Sequence, residues 1–453
     1  MSHDDLSPSD CQYPRVLIVY HACINKADQH GVSIRGWFAQ WPKDDLGQIY
    51  SGQESGTGTF CGHSYKLGIK DRWFGWLFSK LKSSSIGEAS IQVVTINGAP
   101  TAQNESNPYN FFKRIVGKIL LNSGIWEFIF RPKLSAELVS WVEAFRPDII
   151  YCQGYSLGFT WLPIQLKFRF GIPICFQTGD DWPEELYKDS VFSLLVRPVV
   201  RSSVKKLLSL SEVRFSNGPD MTADYSRKYR LHFEPLMMCD DYSRFHESKT
   251  NRVAETNVLS IIYAGTLGAG RWRVIGDLCL IANELREEGL PVQVTALVSS
   301  TPPESVEFLN SLANFNLLPA PSHEILPSFL KGADILFLPE SFEANRLSHT
   351  NLSISTKAHL YMMSKKPTLI YAPPSSGIMK YAKAFNWGCR VSECDLKQLK
   401  NALKRLAQDG EYTHKLIEDG LKLALSHHQS SLVCETLRER LISASSRGNF
   451  NSN

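Results

Sequence analysis

Short apolar runs alternate with helical stretches along most of this chain, and that alternation restricts the fold more than any other feature of the sequence. Nine runs have the composition of strands that are buried on both faces of a sheet, namely 15–20, 91–96, 148–153, 172–177, 213–218, 259–265, 292–298, 334–340 and 367–374. Amphipathic helical patterns lie between many of these runs, for example at 133–145 and 272–289. Strands that alternate with helices predict an α/β fold with parallel sheets.

The runs fall into two sets, which are separated by a polar and charged stretch at 234–257. A chain of 453 residues is long enough for two α/β domains. We therefore predict two Rossmann-like domains and a final helix that crosses back to the first of them. The predicted parts are a flexible N-terminus (1–13), an N-terminal domain (14–235), an interdomain linker (236–257), a C-terminal domain (258–427), a C-terminal helix (428–446) and a disordered tail (447–453).

Composition and charge exclude several classes of protein. Hydrophobic residues make up 43% of the chain and charged residues 21%, which is typical of a folded domain rather than a disordered one. No apolar run reaches the roughly 18 residues that suggest a transmembrane helix, and the acidic start at 1–10 is unlike a secretory signal, so we expect a cytoplasmic protein. A net charge of +4 is too small to argue for a nucleic-acid partner. The ten cysteines lack metal-ligand spacing, which predicts reduced thiols and no metal site.

The segment 70–133 departs from the alternating pattern, because it places large aromatic residues beside lysines and arginines. Trp73, Phe74 and Trp76 lie among basic residues, and a second apolar and basic stretch follows at 111–133. This composition is typical of a helix that lies in the interface of a membrane. An ordinary domain helix with a solvated basic edge has the same composition, so the sequence leaves both interpretations open.

A glycine-containing turn at the end of one predicted strand is a candidate phosphate site. The strand ends at Gly265, and Gly268 precedes a helix that begins near Arg271 and Arg273. Backbone amides at a helix start, with arginines beside them, suit a diphosphate, and glycine lets the backbone approach such a ligand closely. A tight strand–helix turn that binds nothing is the alternative.

A second candidate for phosphate binding lies at 355–357. Ser355 and Thr356 favour a helix start there, and Lys357 adds a positive charge. The amides of this turn and the Lys357 ammonium would face the same phosphate as Arg271, from the opposite wall of a site.

An acidic pair, Asp180 and Asp181, closely follows a predicted strand. Carboxylates at the carboxyl end of a parallel strand face the crevice in which α/β proteins bind ligands. Either residue is therefore a candidate for orienting a hydroxyl group or accepting its proton. In the alternative interpretation, Asp181 caps a short helix that has Pro183 in its first turn, and the two roles are compatible.

These motifs resemble the C-terminal domain of the GT-B-fold glycosyltransferases, particularly glycosyltransferase family 4 and its relatives in bacterial surface-polysaccharide assembly. YAGTLGAGRWR (263–273) is similar to the family's nucleotide-binding turn, and STKAHLYMMSKKPTLIY (355–371) is similar to its S-K-x-x-E-Y-x-x-x-G-K-P-V block. The N-terminal half, including DIIYCQGYS (148–156), agrees less specifically. The resemblance extends roughly over residues 14–440, while its specific motifs are confined to 260–391.

The resemblance implies two Rossmann-like domains that face each other across a cleft. It also implies transfer of a sugar, with retention of configuration, from a nucleotide-diphosphate sugar to a glycan or lipid-linked acceptor, without a cofactor or a metal. The N-terminal domain would hold the acceptor and the C-terminal domain the donor. The implied donor-binding residues are Gly265, Thr266, Gly268, Arg271, Arg273, His323, Ser355, Thr356 and Lys357. The catalytic candidates are Asp180, Asp181 and Glu343.

The chain departs from the family pattern at several positions. Family members carry two glutamates eight residues apart, and the second binds the donor ribose, but the matching positions here are Leu352 and Leu360. Leucine accepts no hydrogen bond from a ribose hydroxyl, so Glu343 or Glu340 would have to replace one member of the pair. Gln153 occupies the position of the family's usual histidine, and a threonine, Thr266, stands at the first basic position of the phosphate turn.

These departures keep a second function open, in which the chain has retained the fold and lost catalysis. It would then be a binding or scaffold subunit in a glycan-assembly complex. A nucleotide-sugar epimerase shares the architecture but is disfavoured, because the paired acid and base that it requires are not evident in the sequence.

Overall fold

A computed structural model describes residues 13–24, 31–52, 60–74 and 123–449 of the protein. The predicted strand at 91–96 and most of the segment 70–133 lie outside the described residues. The same holds for nearly all of the predicted N-terminus 1–13 and for the end of the predicted tail 447–453. No helix within the described ranges is both long enough and apolar enough to span a membrane.

The first sheet of the described chain has seven parallel strands in the order β3-β2-β1-β4-β5-β6-β7. These strands are β1 (Val16–Val19), β2 (Leu46–Tyr50), β3 (His63–Lys66), β4 (Ile149–Cys152), β5 (Ile174–Thr178), β6 (Val213–Ser216) and β7 (Glu234–Pro235). β1 pairs with both β2 and β4, so the direction in which the chain adds strands reverses beside β1. Such a reversal opens a crevice at the carboxyl ends of the strands.

The second sheet repeats this arrangement with six parallel strands in the order β10-β9-β8-β11-β12-β13. They are β8 (Leu259–Gly265), β9 (Val292–Val298), β10 (Phe315–Pro319), β11 (Ile335–Pro339), β12 (Thr368–Tyr371) and β13 (Cys389–Val391). The order reverses between β8 and β11. The predicted α/β class with two Rossmann-like sheets is therefore confirmed.

Helices connect the strands and cover the faces of both sheets. In the N-terminal half they are α1 (Val32–Trp37), α2 (Ile125–Ile129), α3 (Ala136–Phe145), α4 (Leu157–Phe170), α5 (Trp182–Glu185), α6 (Ser193–Leu210), α7 (Pro219–Tyr229) and α8 (Tyr242–Glu247). In the C-terminal half they are α9 (Arg271–Glu287), α10 (Val306–Ser311), α11 (Leu326–Gly332), α12 (Leu347–Thr350), α13 (Ala358–Met363), α14 (Gly377–Ala384), α15 (Leu396–Gln408), α16 (Gly410–His427) and α17 (Ser430–Asn449).

The strands β1, β4 and β11, near the middle of the two sheets, are apolar and buried along their whole length because both of their faces are covered. In β1, Leu17 and Val19 pack into one apolar cluster together with Val142 of α3. Val16 and Ile18 point the other way and pack into a second cluster. Successive side chains of a strand alternate between faces, so a strand between two helical layers has no polar side.

The final helix, α17, packs on the first domain although it follows the second in sequence. Val433, Leu437 and Leu441 are buried in the same apolar cluster as Trp37 of α1 and Phe215 of β6. The chain thus leaves the first domain after β7 and returns to it before α17.

The two passages of the chain between the domains lie side by side. The Asp240 amide donates to the carbonyl oxygen of His428 at 3.1 Å, and the Ser430 amide donates to the carbonyl oxygen of Asp240 at 3.0 Å. The His428 ring adds a hydrogen bond between its Nδ1 atom and the carbonyl oxygen of Met238 at 2.6 Å. These bonds fix the base of the cleft that separates the domains.

Several strands are absent from the sequence prediction, and β2 shows the reason. It is buried along its whole length although Gln48 lies at its centre. The Gln48 side chain accepts a hydrogen bond from the Ile24 amide at 2.9 Å and donates one to Ser64 Oγ at 2.9 Å. A buried amide with partners of this kind is tolerated, but it interrupts the apolar run by which such strands are recognised.

Close packing of β2 against α3 gives a test of the fold. A Cβ atom at Gly47 would lie 2.7 Å from Cε1 of Phe145. We expect Gly47→Ala to lower the free energy of unfolding by about 1–3 kcal/mol, because overpacking forces neighbouring groups to move. Denaturant unfolding measures the change. Gly410→Ala is the control, since no atom lies within 4 Å of its Cβ position; equal midpoints for the two variants would contradict this packing.

Candidate active site in the interdomain cleft

A cleft of about 1370 Å³ lies between the two sheets, at the carboxyl ends of their strands. Gln153 and Asp180, which follow β4 and β5, belong to one wall. Gly265 and Ser299, at the ends of β8 and β9, belong to the other wall. This is the place where parallel α/β sheets bind their ligands.

The structure brings half of the predicted site residues to this cleft. The residues that line it are Asp180, Gly265, Thr266, His323, Thr356 and Lys357. The residues that lie away from its surface are Asp181, Gly268, Arg271, Arg273, Glu343 and Ser355. The predicted helix start at 355–357 is a turn, and the helix itself begins at Ala358.

Lys357 is a half-buried cation on the C-terminal wall. Its side chain lies across the backbone of Gly265, where a Cβ atom would be 2.6 Å from Lys357 Cε. Burial, and to a smaller degree the charge of Arg271, lowers the pKa of Lys357 to about 8. Glu340 is the carboxylate whose charge acts on Lys357, but it is already paired with Arg271. The positive charge of Lys357 is therefore left to attract an anion in the cleft.

Arg271 forms a two-point ion pair with Glu340. Arg271 Nε lies 3.0 Å from Oε2 and Nη2 lies 3.1 Å from Oε1 of the carboxylate. Paired guanidinium and carboxylate groups of this geometry are strongly held, so Arg271 is not presented to a ligand. Direct contact of Arg271 with a diphosphate stays a prediction. In the structure, Arg271 lies close enough to Lys357 for its charge to lower the pKa of that lysine.

Arg273 and Glu343 form a second pair away from the cleft surface. Arg273 donates to Glu343 Oε1, and its guanidinium lies 4.6 Å from the centre of the Trp272 ring. The Glu343 carboxylate is therefore oriented by Arg273 rather than toward a reacting group. Its predicted catalytic role receives no support from this geometry.

Arg346 is a second cation on the C-terminal wall and is not among the residues that the sequence predicts. It is exposed, it lines the cleft, and its closest approach to Glu343 is 4.0 Å. It lies directly before α12, in the segment that connects β11 to α13. No spacing rule assigns a position to a residue in such a loop, so the sequence offers no signal for Arg346.

Asp180 is one of several carboxylates that line the N-terminal wall, and its setting is unusual. It accepts hydrogen bonds from the Trp182 amide, at 3.2 Å, and from the Tyr155 hydroxyl. Burial raises the pKa of Asp180 to about 6, against the lowering effect of these two donors. A carboxyl group with such a pKa is ionised at neutral pH and close to the range in which it exchanges protons efficiently.

A strained turn holds the tyrosine that contacts Asp180. Gly154 and Tyr155 have φ angles of 84° and 65°, in the left-handed region that a bulky residue seldom occupies. A Cβ atom at Gly154 would lie 2.5 Å from Trp182 Cζ2, so glycine is required for this turn. Backbone strain of this type is concentrated at functional sites, and here its result is the contact between the Tyr155 hydroxyl and Asp180.

Asp181 points away from the cleft, to a separate set of partners. Its Oδ1 atom accepts from the Tyr225 hydroxyl at 2.7 Å and lies 3.4 Å from Lys228 Nζ. It precedes α5, but its side chain makes no capping hydrogen bond. The alternative interpretation is therefore confirmed for the position, since Asp181 is the N-cap residue and Pro183 lies in the first turn. The capping hydrogen bond comes from a different side chain, because Asp180 accepts from the Trp182 amide.

His323 lies at the base of the cleft in a charged cluster. Its Nε2 atom is 3.3 Å from Asp240 Oδ2, and Arg244 Nη1 approaches both Asp240 oxygens at 2.5 Å. Burial alone would raise the pKa of Asp240, but the His323 hydrogen bond and the Arg244 charge outweigh it and give a pKa of about 2. Arg244 also donates to the carbonyl oxygen of His323, which fixes the turn.

Leu360 and His359 complete the C-terminal wall near this cluster. Leu360 lines the cleft at the position where the resembling family has its ribose-binding glutamate. His359 is buried, and burial lowers its pKa to about 4, so the ring is neutral at physiological pH. This part of the wall is therefore apolar and uncharged, apart from the Asp240 cluster.

Comparison with solved structures identifies proteins of the same fold over nearly the whole chain. A sucrose-phosphate synthase from Thermosynechococcus elongatus is 12% identical, with a TM-score of 0.59 over 95% of this chain and 99% of that one. HepE from Anabaena, in complex with UDP and glucose, is 11% identical, with a TM-score of 0.58 over 95% and 100%. An α,α-trehalose-6-phosphate synthase from Burkholderia multivorans is 11% identical, with a TM-score of 0.60 over 96% and 100%.

The chain has the GT-B architecture. The prediction made from the sequence is thereby confirmed for the fold. No protein-family model matches the chain, and no curated protein sequence matches it. Membership of glycosyltransferase family 4 stays a prediction.

The contact between Tyr155 and Asp180 gives a test that requires no substrate. NMR titration of carboxyl-labelled aspartate, assigned with Asp180→Asn, should give Asp180 a pKa of about 6. We expect Tyr155→Phe to raise this pKa further, because the lost hydrogen bond favours the ionised form. Tyr225→Phe is the matched control, since it removes a hydroxyl from the neighbouring Asp181. An Asp180 pKa near 4 in the unchanged protein would disprove the assignment.

Proposed function

We propose that this protein is a glycosyltransferase that moves a sugar from a nucleotide-diphosphate sugar to a glycan or lipid-linked acceptor. The observation that carries the proposal is Lys357, a half-buried cation that lines the cleft of a GT-B fold while the nearby carboxylate is occupied by Arg271. HepE, which shares the fold, was solved with UDP and glucose, and this supports a donor of the same chemical class.

The C-terminal wall would hold the donor through its diphosphate. Lys357 and Arg346 supply positive charge to the cleft, and the backbone at Gly265 and Thr266 lines it, with Gly265 next to Lys357. Fixed positive charge stabilises the negative charge that develops on the departing phosphate, and its effect is larger in a site that excludes water. Arg271 would contribute indirectly, because it pairs with Glu340 and so leaves the charge of Lys357 available to the donor.

The N-terminal wall would hold the acceptor. Asp180 accepts a hydrogen bond from the acceptor hydroxyl and takes its proton while the bond between that oxygen and the sugar carbon forms. The bond from the same carbon to the diphosphate breaks, and its electron pair leaves with the diphosphate, opposite Lys357. The resemblance implies retention of configuration, so the acceptor oxygen would approach the sugar carbon on the face from which the diphosphate departs. Its physiological setting would be the synthesis of a surface polysaccharide at the inner face of a membrane.

The presence of a leucine at position 360 favours the second candidate function, a GT-B-fold binding or scaffold subunit without catalysis. The residue lines the cleft as an apolar wall where the resembling family places a carboxylate. Losing a hydrogen bond between a carboxylate and a ribose hydroxyl costs about 1.5–3 kcal/mol of binding free energy. A protein that has lost nucleotide binding altogether would fit this alternative.

Calorimetric titration with UDP, GDP, CMP and dTDP tests the donor site. One of these nucleotides should bind with micromolar affinity. We expect Lys357→Met to weaken that binding by about tenfold to a hundredfold, because a hydrogen bond to a charged group is lost. Lys365→Met is the control, since Lys365 is exposed on the same domain and does not line the cleft.

Two results would count against the donor site. Equal nucleotide affinity in the Lys357 and Lys365 variants would show that Lys357 does not belong to the donor site. Failure of a folded protein to bind any of the four nucleotides would favour the scaffold function.

The pKa of Lys357 predicts a pH dependence for this binding. Because burial lowers it to about 8, the free protein loses the ammonium charge as the pH rises through that value. We expect the association constant for the bound nucleotide to fall between pH 7 and pH 9 in the unchanged protein and to stay nearly constant in Lys357→Met. Titrations at constant ionic strength measure it. A flat profile in the unchanged protein would contradict the assignment.

A further inference from the structure

The start of α6 carries a contiguous group of exposed apolar side chains, which we call the apolar tip (191–195). Val191 is 89% exposed, Leu194 88%, Leu195 71% and Phe192 36%. Single exposed apolar residues are ordinary on protein surfaces, but a contiguous group marks an interaction surface.

The apolar tip is ordered by hydrogen bonds of its own. The Ser193 amide donates to the carbonyl oxygen of Ser190, and the Leu195 amide donates to that of Phe192, each at 2.9 Å. Val196 and Val200 are buried one turn further on and anchor α6 to the domain. The fold therefore holds these apolar side chains outward in a defined position.

The helix behind the apolar tip is basic. It contains Arg197, Arg201, Lys205 and Lys206 and no acidic residue. Glu184 of α5 pairs with Arg197 and Arg201, whereas Lys205 and Lys206 remain exposed. An apolar end followed by unneutralised basic residues is the composition that binds anionic lipid surfaces.

Two further exposed aromatic side chains lie at one end of α2, whose other end contacts α6. Trp73 is 45% exposed and Phe74 54%. The Trp73 amide donates to the carbonyl oxygen of Arg131, just beyond the end of α2. At the start of α2, a Cβ atom on Gly124 would lie 2.8 Å from Val196 Cγ1. Trp73 and α6 therefore contact opposite ends of one helix of five residues, about 7.5 Å long.

The apolar tip adjoins the mouth of the cleft on the acceptor side. Lys188, Asp189 and Ser190 line the cleft and directly precede it in the chain. Asp180 belongs to the same wall. A surface that covers the apolar tip would therefore face the opening through which an acceptor reaches Asp180.

We propose that the apolar tip inserts into an anionic lipid bilayer and holds the mouth of the cleft against it, so that the acceptor is a lipid-linked molecule. The identity of the acceptor rests on the proposed function, whereas the lipid contact rests on the exposed residues alone. Insertion is favoured by the hydrophobic effect, because apolar side chains leave water. It is also favoured by electrostatic attraction between the basic helix and the anionic lipid headgroups.

Sedimentation with vesicles of phosphatidylcholine and phosphatidylglycerol tests the proposal on the full chain. We expect the double variant Leu194→Ser/Leu195→Ser to partition onto these vesicles at least tenfold more weakly than the unchanged protein. The matched control is Leu280→Ser/Leu432→Ser, which removes two leucines that are 51% and 52% exposed elsewhere. The control should bind within twofold of the unchanged protein. Both double variants should bind nucleotide normally, because neither changes a residue that lines the cleft.

Three outcomes would overturn the lipid contact. In the first, the unchanged protein does not bind the vesicles. In the second, both double variants lose vesicle binding equally. In the third, no protein binds the vesicles, and the unchanged protein forms a dimer that Leu194→Ser/Leu195→Ser dissociates. The nucleotide titration separates this proposal from the function proposed above. Vesicle binding that depends on the apolar tip, in a protein that binds no nucleotide, would support the lipid contact and leave the transferase function without support.

Discussion

Both sheets are parallel, and each must be covered by helices on two faces because its central strands are buried on both sides. This constraint leaves only the ends of the strands for polar chemistry. The chain order reverses beside β1 and beside β8, so each sheet opens a crevice at its carboxyl edge. The two crevices face each other, and the charged residues Asp180 and Lys357 line opposite sides of the resulting cleft.

The electrostatics of the cleft depend on which charges are neutralised behind it. On one side, Arg271 and Glu340 satisfy each other, which leaves Lys357 as a cation whose pKa burial lowers to about 8. On the other side, burial raises the pKa of Asp180 to about 6, and Tyr155 supplies a hydrogen bond to its carboxylate. One wall therefore favours an anion and the other a proton donor, which is the division of tasks that transfer from a phosphate to a hydroxyl requires.

The sequence predicts the fold better than the site, and the reason is physical. Burial on both faces leaves a continuous apolar run, which marks β1, β4, β5, β8 and β11, whereas β2 contains a buried Gln48 whose hydrogen bonds no pattern reveals. Lys357 and Gly265 are predicted as site residues and lie together. Spacing alone does not show that Arg271 is held by a glutamate, or that a loop carries Arg346 to the cleft. The pairing of charged side chains and the path of a loop depend on contacts between residues that are distant in sequence, so a local sequence pattern does not reveal them.

The return of α17 to the first domain makes that domain discontinuous in sequence. The apolar face around Trp37 and Phe215 is closed by Val433, Leu437 and Leu441, which follow the whole second domain in sequence. During synthesis, the core of the N-terminal domain therefore cannot be completed until the whole second domain has been made. A fragment that ends before α17 would expose this face to water, and the two halves of the protein are therefore a single unit of expression and of folding.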